Sequence, residues 1–262
     1  MKYFFLSAFC LFFLSAMAQQ EASPLLKEKE KESGKKKIKT CTGIHFAFDQ
    51  NGADEKEGKK YSVETFNHSG NIIQSMYFSL NGGLIEASKF HYDTAQKLVL
   101  ERKQIPNSSP QKHTFHYNKN GRMDFGKVYM DTTLIHTCSY EYDNKNNLIK
   151  IITHHHVSLE KNVPAEEAIE YSYDEKGNMV KETDMEVELN GSELKQKKII
   201  STTQYIYDNN SLIAQSLQYD GKDCKAKTEF HYDADGKLTE EIFYPACEKK
   251  PEYKIKYEYQ YY

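Results

Sequence analysis

The sequence predicts an all-β protein, a long antiparallel meander of β-hairpin repeats with about 25 residues per two-strand unit, laid out as a curved or spiralling sheet. Three observations predict it. Aromatic-x-aromatic pairs followed by Asp or Asn recur along the chain, a half-period of 12 to 14 residues divides the units, and no stretch shows a convincing helical apolar period.

The first element is not part of the sheet. The opening MKYFFLSAFCLFFLSAMAQQ has one Lys, an apolar run from Tyr3 to Leu14, and small residues at Ala16-Met17-Ala18. That pattern reads as a signal peptide over 1–18, cleaved after Ala18. Its apolar run is too short to span a bilayer comfortably, so the mature chain is expected to be soluble and exported, without a transmembrane segment. Periplasm, cell surface and extracellular space all fit. Cys10 does not suit lipid attachment, because the bulky Phe9 precedes it.

Residues 19–40, QQEASPLLKEKEKESGKKKIKT, interleave Lys with Glu and hold few groups that a core could bury. They read as a disordered charged linker. The formal net charge of −3 offers no general attraction to nucleic acid, and none is expected as a partner.

From Cys41 to Tyr262 the chain reads as a single repeat domain. The aromatic pairs run Phe46/Phe48, Phe90/Tyr92, Phe115/Tyr117, Tyr140/Tyr142, Tyr171/Tyr173, Tyr205/Tyr207, Phe230/Tyr232 and Tyr257/Tyr259. The polar residues after them, from Asp93 onward, are spaced 25, 25, 31, 34, 25 and 27 residues apart. The two long intervals hold HHHVSLEKNVPAEEA and VELNGSELKQKK, read as longer turns. Strands with their turns near 12 residues predict about 15 strands.

The stretch YSYDEKGNMVKET, Tyr171 to Thr183, explains one unit. Tyr171 and Tyr173 point to one face of a strand. Asp174 can accept hydrogen bonds from the turn's own backbone, and Gly177 supplies the left-handed residue of a three-residue hairpin loop. That geometry sets Tyr173 opposite Met179, an aromatic-aliphatic pair worth roughly 0.2 to 1 kcal/mol. The apolar partner recurs at Ile72, Leu84, Leu98, Met123, Leu148, Met179 and Leu238. Asn146 tolerates the left-handed conformation, Gln96 is expected to strain there, and Asn209-Asn210 after Asp208 reads as a shorter, two-residue turn.

Tyr-x-Tyr-Asp-x-x-Gly-Asn, complete at Tyr171 to Asn178 and degraded elsewhere, resembles the YD repeat of Rhs-type proteins. The resemblance covers nearly all of the mature chain and implies strand-turn-strand architecture in a short exported bacterial form. Large members enclose a toxin domain in a spiralling β-shell. No recognisable cargo follows the repeats here, and such repeats bring no family-wide catalytic residues, so no site transfers.

Two groups of residues are candidates for chemistry. The hairpin register at Asp143 places Cys138 opposite Ile152 and His136 opposite His154, with His156 further along the same face. His136, His154 and His156 could hold zinc or copper. The plainer reading, a wet strand end before a long loop, is preferred, and no cofactor is expected. Cys224 and Cys247 lie near the midpoint turns of successive units, which a meander brings to one edge, so they are the disulfide candidate. The terminal YKIKYEYQYY places Lys254, Lys256, Glu258 and Gln260 on one face, which argues against an outer-membrane barrel.

These readings favour a non-enzymatic cell-envelope repeat protein, a binding or structural scaffold with a tyrosine-rich or charged surface. Its expected partner is an envelope polysaccharide or a protein. The alternative is a metal-binding protein or metal-dependent hydrolase centred on the histidines.

Overall fold

The computed structural model describes residues 37–49, 52–53, 55–156, 166–190 and 193–262. The expected signal peptide, nearly all of the linker and residues 157–165 of the first insertion lie outside them.

Among the described residues sixteen strands follow one another in sequence. The first eight are β1 (Ile38–Ala47), β2 (Lys59–Phe66), β3 (Ile72–Phe78), β4 (Leu84–Tyr92), β5 (Leu98–Gln104), β6 (Gln111–Tyr117), β7 (Met123–Met130) and β8 (Thr133–Tyr142). The second eight are β9 (Leu148–His155), β10 (Glu166–Tyr173), β11 (Met179–Asn190), β12 (Glu193–Tyr207), β13 (Ile213–Asp220), β14 (Asp223–Tyr232), β15 (Leu238–Tyr244) and β16 (Tyr253–Tyr261). Each strand pairs antiparallel with its sequence neighbours, and β1 pairs with β16, so the meander closes into a barrel. The expected all-β antiparallel meander holds, and closure into a barrel corrects the expected spiralling sheet. The first strand also begins at Ile38, ahead of the expected domain start at Cys41.

The turns form as the residues dictate. Asp174 N–H donates to Asn178 O at 2.9 Å, Gly177 N–H donates to Asp174 O at 3.1 Å, and Gly177 has φ 83°. Asp174 Oδ1 also accepts the Asn178 N–H at 2.8 Å, and Tyr173 pairs with Met179. The same turn closes after Asn67, Asp93, Asn118, Asp143, Asp208 and Asp233. At Asp208 this corrects the shorter turn: Ser211 takes the left-handed position with φ 63°, and Ile213, fully buried, is the apolar partner. Gln96 adopts φ 62° and accepts a hydrogen bond from Asn71 Nδ2 of the preceding turn at 2.8 Å, which helps offset the strain of a non-glycine residue there.

All seven of these turns lie at one end of the barrel, here the turn rim. Beside it the second aromatic of six units reaches back one unit. Tyr92 Oη–H donates to Ile72 O at 2.9 Å, Tyr117 to Leu98 O at 2.9 Å, and Tyr173 to Leu148 O at 2.7 Å. Tyr207 donates to Met179 O at 2.8 Å, Tyr232 to Ile213 O at 3.0 Å, and Tyr259 to Leu238 O at 2.7 Å. Tyr262 donates to Phe66 O and carries the series across the seam. The acceptor is in each case an aromatic-aliphatic pair residue, so the hydroxyl satisfies a backbone carbonyl where the strand ladder begins.

The register slips by one residue immediately after the aromatic-aliphatic pair in all seven hairpins. Each slip is a β-bulge, which sharpens the local twist that closure needs. At the seam Gly43 pairs with Tyr257, and a Cβ on it would lie 2.5 Å from Ser62 Oγ, so a side chain there would crowd the closing strands. The 34-residue interval proves to be long strands, β11 and β12, paired out to Asn190 and Glu193, rather than the expected longer turn.

The aromatic ladder faces inward. Phe90, Phe115, Tyr140, Tyr171, Leu98, Met123, Leu148 and Met179 belong to one buried cluster, and Ile213, Phe230 and Leu238 to a second. His91, His116 and His231 project outward and are exposed.

The two tyrosines of one motif should respond differently to loss of the hydroxyl. Tyr173→Phe removes the bond to Leu148 O and should cost about 1 kcal/mol, whereas the buried Tyr171 hydroxyl has no hydrogen-bond partner among the described residues and Tyr171→Phe should cost nothing or stabilise. Urea unfolding of the two variants measures this, and equal losses would contradict the assignment.

Candidate functional site

Inside the barrel, side chains change character with distance from the turn rim. On β6 the inward series runs Tyr117, Phe115, His113, Gln111; on β8 it runs Tyr142, Tyr140, Cys138, His136; on β10 it runs Tyr173, Tyr171, Ile169, Glu167. The two layers next to the rim are aromatic and the next two are largely polar. The polar belt crosses β4 to β10 and holds most of the barrel's buried ionisable groups.

Two ion pairs are almost wholly out of solvent. Lys103 Nζ lies 2.8 Å from Glu86 Oε2, each side chain 1 % exposed, and His113 Nδ1 lies 2.9 Å from Glu101 Oε2. Ser88 Oγ–H donates to Glu101 Oε1 at 2.6 Å. Burial pushes the Glu101 carboxyl up, but His113, the Ser88 hydrogen bond and Lys103 together outweigh it and hold the group below its usual range. For Glu86 burial outweighs Lys103, and its carboxyl is raised. Neighbouring buried carboxylates are thus driven apart.

The expected histidine set does not converge. The bulge after Tyr142–Leu148 shifts the register, so His136 pairs with His155 rather than His154, and Cys138 with Thr153 rather than Ile152. The His136 and His155 rings meet edge to face at 4.6 Å, and His155 Nε2 lies 3.3 Å from Glu167 Oε2. His154 instead contacts Glu166, and His156 Nε2 shares a 2.6 Å hydrogen bond with Thr137 Oγ1. Among the described residues no group of three or more His, Cys, Asp or Glu could hold a metal ion.

The register brings His155 rather than His154 opposite His136, and sequence reasoning did not single out His155, Glu167, His113 or Glu101. The bulge shows in the structure as buried residues at Leu148, Ile151 and Thr153, a spacing of three and then two, but the apolar residues of the stretch, Leu148, Ile149, Ile151 and Ile152, do not single it out. Burial pushes the Cys138 thiol up to about 11, so it is not the low-pKa thiolate of a nucleophile. Cys41 is also buried and outside any disulfide. Cys224 and Cys247 form a disulfide at the rim opposite the turns, joining the start of β14 to the β15–β16 connection with Cα atoms 5.8 Å apart.

The belt has a pH consequence. Burial, with His155, His113 and His156 adding repulsion, lowers the His136 pKa from 6.5 to about 4. Below pH 6.5 the unfolded chain gains a proton that folded His136 refuses until about pH 4. Stability should therefore fall as pH drops through that window, by about 3 kcal/mol from this group. Glu101, depressed by its partners, adds a loss in the same direction below its unfolded value. Urea unfolding from pH 7 to 4 should show a shallower decline in His136→Gln than in the parent, and identical slopes would contradict the assignment.

No curated protein matches the chain. Among solved structures, TcdB2-TccC3 without its hypervariable C-terminal region is 16% identical, with a TM-score of 0.34, over 78% of this chain and 10% of that one. The Photorhabdus luminescens Tc holotoxin pore is 13% identical, with a TM-score of 0.29, over 81% of this chain and 14% of that one. A porin-like protein from Bacteroides uniformis is 8% identical, with a TM-score of 0.39, over 85% and 98%. The chain thus spans a small fraction of the toxin chains it matches. The Teneurin YD-shell family matches residues 37–261, every strand included, and the chain belongs to that family of YD-repeat proteins.

Proposed function

We propose that the chain is a non-enzymatic, exported scaffold of the cell envelope that binds an envelope polysaccharide or protein through the outside of its barrel. One observation carries the reading: closure turns the aromatic ladder inward, so the surface left for a partner is the charged outer wall. The tyrosine array is consequently a core and not a sugar-stacking platform, which revises the expected tyrosine-rich binding surface. Glu86, Glu101 and His136, each shifted from its ordinary range, lie inside, away from any large substrate.

Export rests on the signal-peptide pattern of residues 1–18. No helix among the described residues is long and apolar enough to cross a membrane. Exposed Lys89, Arg102 and Lys112 on the outer wall would be costly in a hydrocarbon layer.

The test is cosedimentation of the mature chain, from Gln19, with envelope preparations. The expected result is saturable binding that Tyr171→Phe leaves unchanged. Absence of binding, or its loss in that interior variant, would overturn the reading.

A further inference from the structure

Much of the outer wall pairs its charges. Lys197 lies 2.7 Å and Lys150 3.7 Å from Glu170, and Lys254 lies 3.4 Å from Glu240. On β4 to β6 the pattern fails. Lys89 pairs directly with Arg102, and Arg102 directly with Lys112, so three cations stand side by side across three strands. All three are exposed, and among the described residues none has a carboxylate within ion-pair distance.

Like charges directly opposite one another destabilise a sheet. The next residues along the row are Gln74 on one side and Tyr129 on the other, neither of which neutralises it. Lys127 on β7 adds a fourth cation, paired in register with Thr114 and Thr137. Lys112 Nζ lies 5.7 Å over the Tyr129 ring, but among the described residues no carboxylate offsets the row, and a local cost left without a counter-charge is what a binding surface looks like before its ligand arrives.

The geometry points to an anionic polysaccharide as that ligand. This inference rests on the scaffold reading above and names the chemistry of its partner. Adjacent antiparallel residues stand about 5 Å apart, so the row presents its cations over about 10 Å along the barrel wall. A linear polymer with regularly spaced carboxylate or sulfate groups can lie across it. The neutral flanks, Gln74, Thr114 and Thr137, offer amide and hydroxyl groups suited to sugar hydroxyls. A protein partner would want an aromatic or apolar anchor at the centre. The nearby Phe125 ring is already stacked under His116 at 4.2 Å.

The test measures binding of the mature chain to polygalacturonate, dextran sulfate, neutral dextran, a poly-Glu peptide and oligothymidine, at low and moderate salt. Binding to polygalacturonate or dextran sulfate, weakened by salt and absent with neutral dextran, is expected; which of the two binds distinguishes carboxylate from sulfate chemistry. Arg102→Gln/Lys112→Gln should lose at least tenfold in affinity while its thermal midpoint holds or rises. Lys150→Gln/Lys197→Gln, on the paired part of the wall, should bind as the parent does. No binding to either charged polysaccharide, equal losses in both double variants, or tighter binding to poly-Glu or oligothymidine would overturn the proposal. If Arg102→Gln/Lys112→Gln still cosediments with envelope, the patch fails and the scaffold reading stands. If the parent does not cosediment, the scaffold reading fails and the purified polysaccharides still judge the patch.

Discussion

The hydrogen bond from a motif tyrosine to the first carbonyl of the preceding unit's returning strand is the contact on which the rest of the barrel depends. A hairpin by itself is a marginal object in water, because two strands cannot bury both faces. The tyrosine ties each hairpin to the last through a ring that is apolar along its length and polar at its tip. For the hydroxyl to arrive, the ring must leave the strand immediately before the turn, facing inward. The turn guarantees this: the Asp or Asn side chain accepts backbone N–H groups at Ser69/Asn71, Ala95/Lys97, Lys145/Asn147 and Asp235/Lys237. At Asp143 the Asn147 side chain holds the pKa low, and at Asp174 the bonds from Asn178 outweigh partial desolvation.

Closure follows from the same contact applied at the chain's ends. Tyr262 reaches Phe66 O, its backbone N–H donates to Lys37 O at 3.1 Å, and its ring stacks on His68 at 3.9 Å. The last strand thereby treats the first units as one more repeat. Once closed, the sheet has no free edge to template aggregation, and its aromatic face has a single place to go. Buried pairs such as Lys103–Glu86 stay enclosed with the core, while the exposed charges lie on the outside and at the rims.

Much of the fold was legible because its local rules are chemical. The Asp-x-x-Gly turn, the aromatic-aliphatic pair and the period all arise from backbone conformations that particular residues favour. Ser211 escaped because it occupies a left-handed position with no sequence signature, and Ile213 went unnoticed with it. The bulges escaped because a single extra residue leaves the turn motif untouched and displaces only the strand beyond it, and that slip exchanged His154 for His155. Closure and the hydroxyl bonds are long-range facts. Nothing in one hairpin says that its tyrosine will meet a carbonyl 19 to 28 residues earlier. The face of the tyrosine ladder was likewise undecided, since a buried aromatic row and an exposed one share the same alternation.

Hydrogen exchange at the seam tests the closed barrel most directly. If β1 and β16 pair as described, their amides should exchange as slowly as those of mid-meander strands such as β7 and β8, including Phe48 N–H, which donates to Glu252 O at 3.1 Å. An open curved sheet would leave one edge of each terminal strand facing water. Fast exchange confined to alternate amides of β1 and β16, with the remaining strands protected, would contradict closure and with it the inward placement of the aromatic ladder.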